Sequence, residues 1–283
     1  MLGDHNVIVI GAGPAGSAAA QMLAQYELDV LLLDKSEFPR DKTCGDGLPP
    51  GALPMLRDMG LRDQVLQAGY QLDQLAFTSP TGSTSVLSIP PLPNAPSYGL
   101  VMPRLEFDDM LRNQAIRGGA LFKGGVQVNN ITVDDDGAVI TTSAGEYRAQ
   151  MVVIAVGGAT QLLSSMGLVS KLPQTILAAR AYFENISELP KQFQFISSGS
   201  PLPGYGWVFP TSETSANVGF GFLLTDGQSQ LPSPRAAFAE FIQSDYMSKL
   251  LKGARQIGGI KDYPLRIDFA HAPTCANRIL LVG

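Results

Sequence analysis

The sequence predicts an α/β fold: a parallel sheet wrapped by helices, joined to a second, mostly antiparallel sheet. Three observations predict it. Near the start, "NVIVIGAGPAGSAAAQMLAQYELDVLLLDKSEFP" sets an apolar run, a glycine turn, an Ala-rich helical stretch and a second apolar run in βαβ order. Further on, short apolar or alternating runs separated by turn residues follow one another from Val126 to Ala155 and again from Ala178 to Leu224. At the end, Leu280 to Val282 reads as another buried parallel strand, with Gly283 where the backbone should turn.

In the first unit, Val7 to Ile10 is the strand and Gly11, Gly13 and Gly16 spell G-x-G-x-x-G. Pro14 to Gln25 is the helix, with proline in its first turn, and Val30 to Leu33 is a second strand ending in Asp34. Glycines at this spacing let a backbone approach a pyrophosphate at a positive helix N-terminus, and an acid ~20 positions on accepts ribose hydroxyls. The unit is therefore a Rossmann-like site for an ADP moiety, with Gly11, Gly13, Ala15, Gly16 and Asp34 as candidate cofactor contacts. An acid at position 34 disfavours a 2′-phosphate, so NADP is a poor fit, while FAD and NAD remain open.

Composition narrows the class. A chain of 283 residues has room for one large domain or two ordinary ones, and its apolar and charged content excludes disordered and fibrous classes. The net charge of -5 and the lack of a Lys/Arg cluster argue against nucleic acid as a partner. Cys44 and Cys275 lie far apart, which suits a reducing compartment, so a cytoplasmic location is expected. Val7 to Ile10 is too short for a signal-peptide core, and no stretch approaches the ~20 apolar residues of a bilayer span, so any membrane contact is expected to be peripheral. His5 and His271 stand alone and read as packing or surface residues; with no cluster at metal-ligand spacing, no metal is expected.

The next stretch, "KSEFPRDKTCGDGLPPGALPMLRDMGL", is a Gly/Pro loop followed by a short helix from Ala52 to Met59. Its P-R-x-K-x-C-G-x-G-L run, Pro39 to Leu48, resembles the loop of the geranylgeranyl reductase family, flavoproteins of the p-hydroxybenzoate hydroxylase type. The resemblance implies FAD as cofactor and sets Arg40, Cys44, Gly45 and Gly47 against it. "VMPRLEFDDMLRNQAIRGGA" is an amphipathic helix with Phe107, Met110, Leu111 and Ala115 at helical spacing, and it is similar to the family's R-x-x-F-D-x-x-L-x-x-x-A. There Arg104 would contact cofactor phosphates, which a guanidinium suits. "PGYGWVFP" is similar to the family's P-x-Y-x-W-x-F-P strand on the substrate side of the flavin, with Tyr205, Trp207 and Phe209 on one face as candidate substrate contacts.

Val126 to Ile131, Ala138 to Thr142 and Tyr147 to Ala155 read as a meander turning at Asp134 to Gly137; in the family, the backbone of Val128 would touch the adenine. The family's A-D-G motif is altered here to "VVIAVGGATQLL", with Gly157 in place of the acid and Gly158 kept as a candidate contact. The family also continues "RILLVG" as L-L-V-G-D-A-A-G, so the chain is expected to be truncated before that third motif.

The resemblance implies a p-hydroxybenzoate hydroxylase-type FAD-binding domain of residues 1–74, 100–172 and 259–283, interleaved with a mostly antiparallel substrate domain of residues 75–99 and 173–258. A helical patch is expected near Pro234 to Leu251. The implied activity is reduction of C=C bonds in a polyprenyl, geranylgeranyl-type substrate by hydride from flavin N5. Cys44 near that centre is either a catalytic or a packing thiol. NADPH and ferredoxin are both open as reductants. The alternatives are a flavin monooxygenase or halogenase of the same fold, and a non-catalytic fragment whose flavin site stays empty.

Overall fold

The computed structural model describes residues 1–169, 175–197, 203–224, 232–267 and 273–283, so His271 lies outside the described residues. The chain divides into two compact units. One comprises Met1–Asp41, Leu105–Pro173 and Arg266–Gly283; the other comprises Lys42–Arg104 and Gln174–Leu265.

The first unit is built on β1 (Gly3–Ile10), which runs parallel to β2 (Val30–Leu33) on one side and to β11 (Gly145–Ile154) on the other. The sheet extends through parallel β8 (Leu121–Lys123) beyond β2 and parallel β18 (Ile279–Leu281) beyond β11, with antiparallel β17 (Cys275–Ala276) at the edge. The two faces of β1 bury different partners, as the pleat requires. Val7 and Val9 face Ala20 of α1 (Pro14–Gln25) and Ala115 of α4 (Arg104–Arg117). Ile8 and Ile10 face the meander of β9 (Val128–Val133) and β10 (Ala138–Thr142), together with Leu163 of α5 (Gln161–Ser165). Burial on both faces is why these parallel strands read as continuous apolar runs. The meander turns where expected, with Asp134 Oδ1 accepting the N–H groups of Asp136 at 3.0 Å and Gly137 at 2.9 Å. β9 starts two residues later than the apolar run, because the Val126 N–H bonds to the Asp34 carbonyl at 2.9 Å.

The second unit holds a seven-stranded sheet among the described residues. Its order is β16 (Arg255–Arg266), β12 (Thr175–Glu184), β15 (Ala216–Leu223), β14 (Gly204–Pro210), β13 (Phe193–Ile196), β5 (Gln74–Thr78) and β6 (Thr84–Ser88). The pairing is antiparallel between β12, β15, β14 and β13, and between β5 and β6, but parallel between β13 and β5. One face is closed by α6 (Pro234–Ile242) and α7 (Asp245–Leu250), where Phe238, Phe241 and Met247 bury against Val208, Val218, Phe220 and Phe222. Ser233 caps α6 by accepting the Ala236 N–H at 3.2 Å. Gly206 makes room for this helix: a Cβ there would fall 2.1 Å from the Phe241 ring. The helical patch is thus two helices, and the long strand β16 was not anticipated. β16 is mostly exposed and carries Gly258, Gly259 and Pro264, so it shows no apolar period. A small sheet of β3 (Gly47–Leu48), β7 (Gly99–Val101) and β4 (Tyr70–Leu72), with α2 (Ala52–Asp58) and α3 (Arg62–Ala68), completes the unit.

No helix among the described residues is long and apolar enough to cross a membrane, and no metal-ligand cluster is found among them.

Candidate functional site

In the first unit the sequence-predicted residues gather at the end of β1. Gly11 has φ +102°, and a Cβ there would lie 2.5 Å from the Ala155 carbonyl oxygen. A Cβ on Gly16 would lie 1.8 Å from the Gly11 carbonyl oxygen, so the helix is seated directly on the turn. Gly13 precedes Pro14 and has only Arg40 Nη2, at 3.7 Å, near its would-be Cβ. No side chain caps the start of α1. Its first-turn N–H groups and positive dipole end are therefore available to an anion. Gly283, with φ +94°, sits against the same turn, its would-be Cβ 2.9 Å from that of Ala15.

Asp34 is buried at the head of this turn. Its Oδ2 accepts the Ala12 N–H at 2.8 Å and its Oδ1 accepts the Ser36 N–H at 2.9 Å, so the carboxylate is fixed in place with lone pairs to spare for hydroxyl donors. Arg40 lies beside it, Nη2 4.0 Å from Asp34 Oδ2, and is anchored through Nη1 to Asp108 Oδ2 at 2.7 Å. The open surface at Gly13, the uncapped helix end, the fixed acid and the anchored guanidinium fit the ADP part of FAD. Val128 packs its side chain into the core, leaving only its backbone for a ligand. Gly158 lies in the turn after β11, next to Gly157, whose φ is +55° and whose would-be Cβ meets nothing within 4 Å.

In the second unit, the face of the large sheet opposite its helices carries the aromatic residues. Phe77, Phe195 and Trp207 are in cross-strand register, and Phe193 and Phe209 form the next row. Ring centroids run from Phe77 to Phe195 at 5.1 Å, Phe195 to Tyr205 at 5.8 Å, Tyr205 to Trp207 at 6.3 Å and Trp207 to Phe209 at 6.4 Å. The three β14 rings therefore do share a face, but unequally: Tyr205 is 44% exposed and Trp207 only 7%. The 42–48 loop packs on Phe209 and Trp207. A Cβ on Gly45 would lie 3.0 Å from Phe209 Cε2, and one on Gly47 would lie 3.5 Å from it.

Beneath that loop is a polar network that sequence reading missed. Asp46 is 1% exposed, and its Oδ2 accepts the Tyr182 hydroxyl at 2.6 Å and Asn217 Nδ2 at 2.7 Å. Asn217 Nδ2 also donates to the Cys44 carbonyl at 2.8 Å, and its Oδ1 accepts Trp207 Nε1 at 3.0 Å. Burial pushes the Asp46 carboxyl up to about 6, against the lowering pull of Tyr182, Asn217, the Arg180 charge and the Arg104 backbone N–H. Tyr205 is raised by burial and then by the neighbouring Cys44. Cys44 is a free, half-buried thiol and Cys275 a free, exposed one. The overlooked signal was Asn217, a polar residue inside the otherwise apolar run "ANVGFGFL".

An FAD binding domain family model matches residues 4–216. The chain belongs to that family. As an FAD binding domain it is 33% identical over 234 residues to the menaquinone reductase of Mycolicibacterium smegmatis, a match covering 78% of this chain and 55% of that protein. It is 27% identical over 296 residues to digeranylgeranylglycerophospholipid reductase 1 of Methanopyrus kandleri, covering 99% of this chain and 73% of that protein. The chain thus spans about half the length of the first of these relatives. Among solved structures it resembles a geranylgeranyl bacteriochlorophyll reductase-like protein from Thermoplasma acidophilum, with a TM-score of 0.83 and 24% identity over 98% of this chain and 70% of that one. It also resembles a flavin-dependent brominase, with a TM-score of 0.80 and 22% identity over 98% and 71%. At these identities the two structures establish the shared fold, which is of the p-hydroxybenzoate hydroxylase type and typical of FAD-dependent oxidoreductases.

Proposed function

We propose that the protein is an FAD-dependent oxidoreductase that reduces C=C bonds in the isoprenoid part of a lipid-like substrate. The observation that carries this reading is the aromatic face of Phe77, Phe195 and Tyr205, an apolar surface suited to a hydrocarbon chain, beside the loop that resembles a geranylgeranyl reductase. The sequence relatives named as reductases support it. Gly11, Gly13, Ala15 and Gly16 would hold the pyrophosphate at the start of α1, Asp34 the ribose, Arg40 and Arg104 the phosphates, and the Val128 backbone the adenine. Gly158, Cys44, Gly45 and Gly47 would be further cofactor contacts. Tyr205, Trp207 and Phe209 would line the substrate, with Tyr205 making the direct contact. Bound FAD supplies the electron pair that such a reduction consumes; the protein positions the substrate and excludes water. The functional division into a cofactor part (1–74, 100–172, 259–283) and a substrate part (75–99, 173–258), and a cytoplasmic location, belong to the same proposal.

A second reading is a flavin monooxygenase or halogenase. It is favoured by the fold likeness to the brominase and to a myxobacterial halogenase at a TM-score of 0.77, and an aromatic face would also suit a ring substrate. The two separate in one anaerobic experiment. The flavin-loaded protein is reduced with dithionite, which bypasses the choice between NADPH and ferredoxin, and mixed with a geranylgeranyl lipid. Reoxidation without oxygen supports the reductase; no anaerobic reoxidation overturns it, and a hydroxylated or halogenated product formed once oxygen and halide are admitted supports the second reading.

A further inference from the structure

Asp46 has no part in the functional reading above, yet its setting is tightly constrained. It stands between two glycines with φ of 65°, a left-handed backbone that asparagine and aspartate adopt at modest cost. Its carboxyl is buried and holds two side-chain donors on one oxygen, Tyr182 from β12 and Asn217 from β15. Asn217, fully buried, uses both halves of its amide: Nδ2 for Asp46 and the Cys44 carbonyl, Oδ1 for the Trp207 indole of β14. A carboxyl ringed by such partners is bound to them by charge-assisted hydrogen bonds while ionised and by weaker neutral ones when protonated.

We propose that Asp46 is a proton-exchanging positioning residue of the Cys44–Gly47 loop, and that Asn217 transmits its gain or loss of a proton to the Cys44 carbonyl and the Trp207 indole. On uptake, a proton from solvent forms an O–H bond on the Asp46 carboxylate, and on release that bond breaks and the proton returns to solvent. No electron moves and no co-reactant is needed. The titratable and charged groups that act on Asp46 are Tyr182 and Arg180 on β12, together with the backbone N–H of Arg104 at the start of α4; Lys42 and Cys44 are the titratable residues next to it along its own loop. From β15 it meets Asn217, which does not titrate and which carries the Trp207 indole of β14 on its other side. The burial that lifts its carboxyl to about 6 sets the exchange near neutrality. A role in turnover rests on the reductase reading; the proton exchange itself does not.

Trp207 is the chain's one tryptophan, so its emission reports this network directly. Recorded between about pH 4.5 and 8, the wild-type protein is expected to show one transition near pH 6. The transition is expected to vanish in Asp46→Asn, which tolerates the same backbone and keeps an acceptor oxygen. In Tyr182→Phe, which loses a hydrogen bond to the charged form, it is expected to move up by about one pH unit. A flat wild-type profile, or a transition unchanged in Asp46→Asn, overturns the proposal. If Asp46→Asn does not fold, Tyr182→Phe decides, and an unshifted midpoint overturns it. Neither FAD nor substrate enters the measurement, so its failure is distinct from failure of the reductase assay.

Discussion

Asn217 holds two parts of one loop with a single amide nitrogen, donating to the Asp46 carboxylate at 2.7 Å and to the Cys44 carbonyl at 2.8 Å. The stretch resembling a geranylgeranyl reductase loop is thereby fixed to the sheet by its backbone and its acid, leaving the Cys44 thiol free of that task. Cys44→Ala is therefore expected to fold and to keep its stability within about 1 kcal/mol in thermal unfolding. A larger loss would show the thiol to be a packing element.

Asp46 predicts a pH dependence of stability. Its carboxyl is raised from 3.8 to about 6 in the folded protein, so as pH rises the unfolded chain releases this proton first. Stability from this group is present below about pH 4 and is lost as pH climbs through about 6. In urea unfolding, Asp46→Asn should gain on wild type by roughly 3 kcal/mol between about pH 4 and pH 7. A difference that stays constant with pH would show that Asp46 does not titrate in this window.

Gly219 predicts a steric effect on the aromatic face. A Cβ there would lie 2.0 Å from Trp207 Cζ2, so Gly219→Ala must push the indole out of its slot. The expected cost is about 2 kcal/mol in unfolding free energy, with a red shift of tryptophan emission as the ring meets water. Unchanged emission would contradict the placement of Trp207.

Arg40 and Asp108 predict a non-additive pair. Asp108 is fully buried and its carboxylate is paired with Arg40 at 2.7 Å. Arg40→Met alone should cost roughly 3 kcal/mol by removing the cation paired with that buried carboxylate, whereas Arg40→Met with Asp108→Leu should cost less than either single change. Additive losses in a double-mutant cycle would contradict this. Arg40→Met should also weaken FAD binding, as measured by flavin fluorescence.

Much of the first unit was legible because its signals are local. Val7 to Ile10 and Val30 to Leu33 are buried on both faces, and the glycine turn between them has a steric reason at Gly11 and Gly16. The single face shared by Tyr205, Trp207 and Phe209 followed from strand period. The unequal exposure of those rings did not, because it depends on a loop more than 150 residues away in sequence. Asp46 occupies the variable position of C-G-x-G-L and carried no signal of its own; its partners Tyr182 and Asn217 come from strands that only the folded sheet brings together. Likewise Asp108 is completely buried and paired with Arg40, a contact across 68 residues that the helical pattern does not reveal.

The most direct test of the proposed activity is the mass of the product. Protein loaded with FAD and reduced with dithionite is incubated with a digeranylgeranyl lipid, and the extracted lipid is weighed by mass spectrometry. Reduction predicts a gain of about 2 Da for each double bond saturated, with no dependence on oxygen or halide. A product heavier by one oxygen atom, or carrying the isotope pattern of bromine or chlorine, would contradict it.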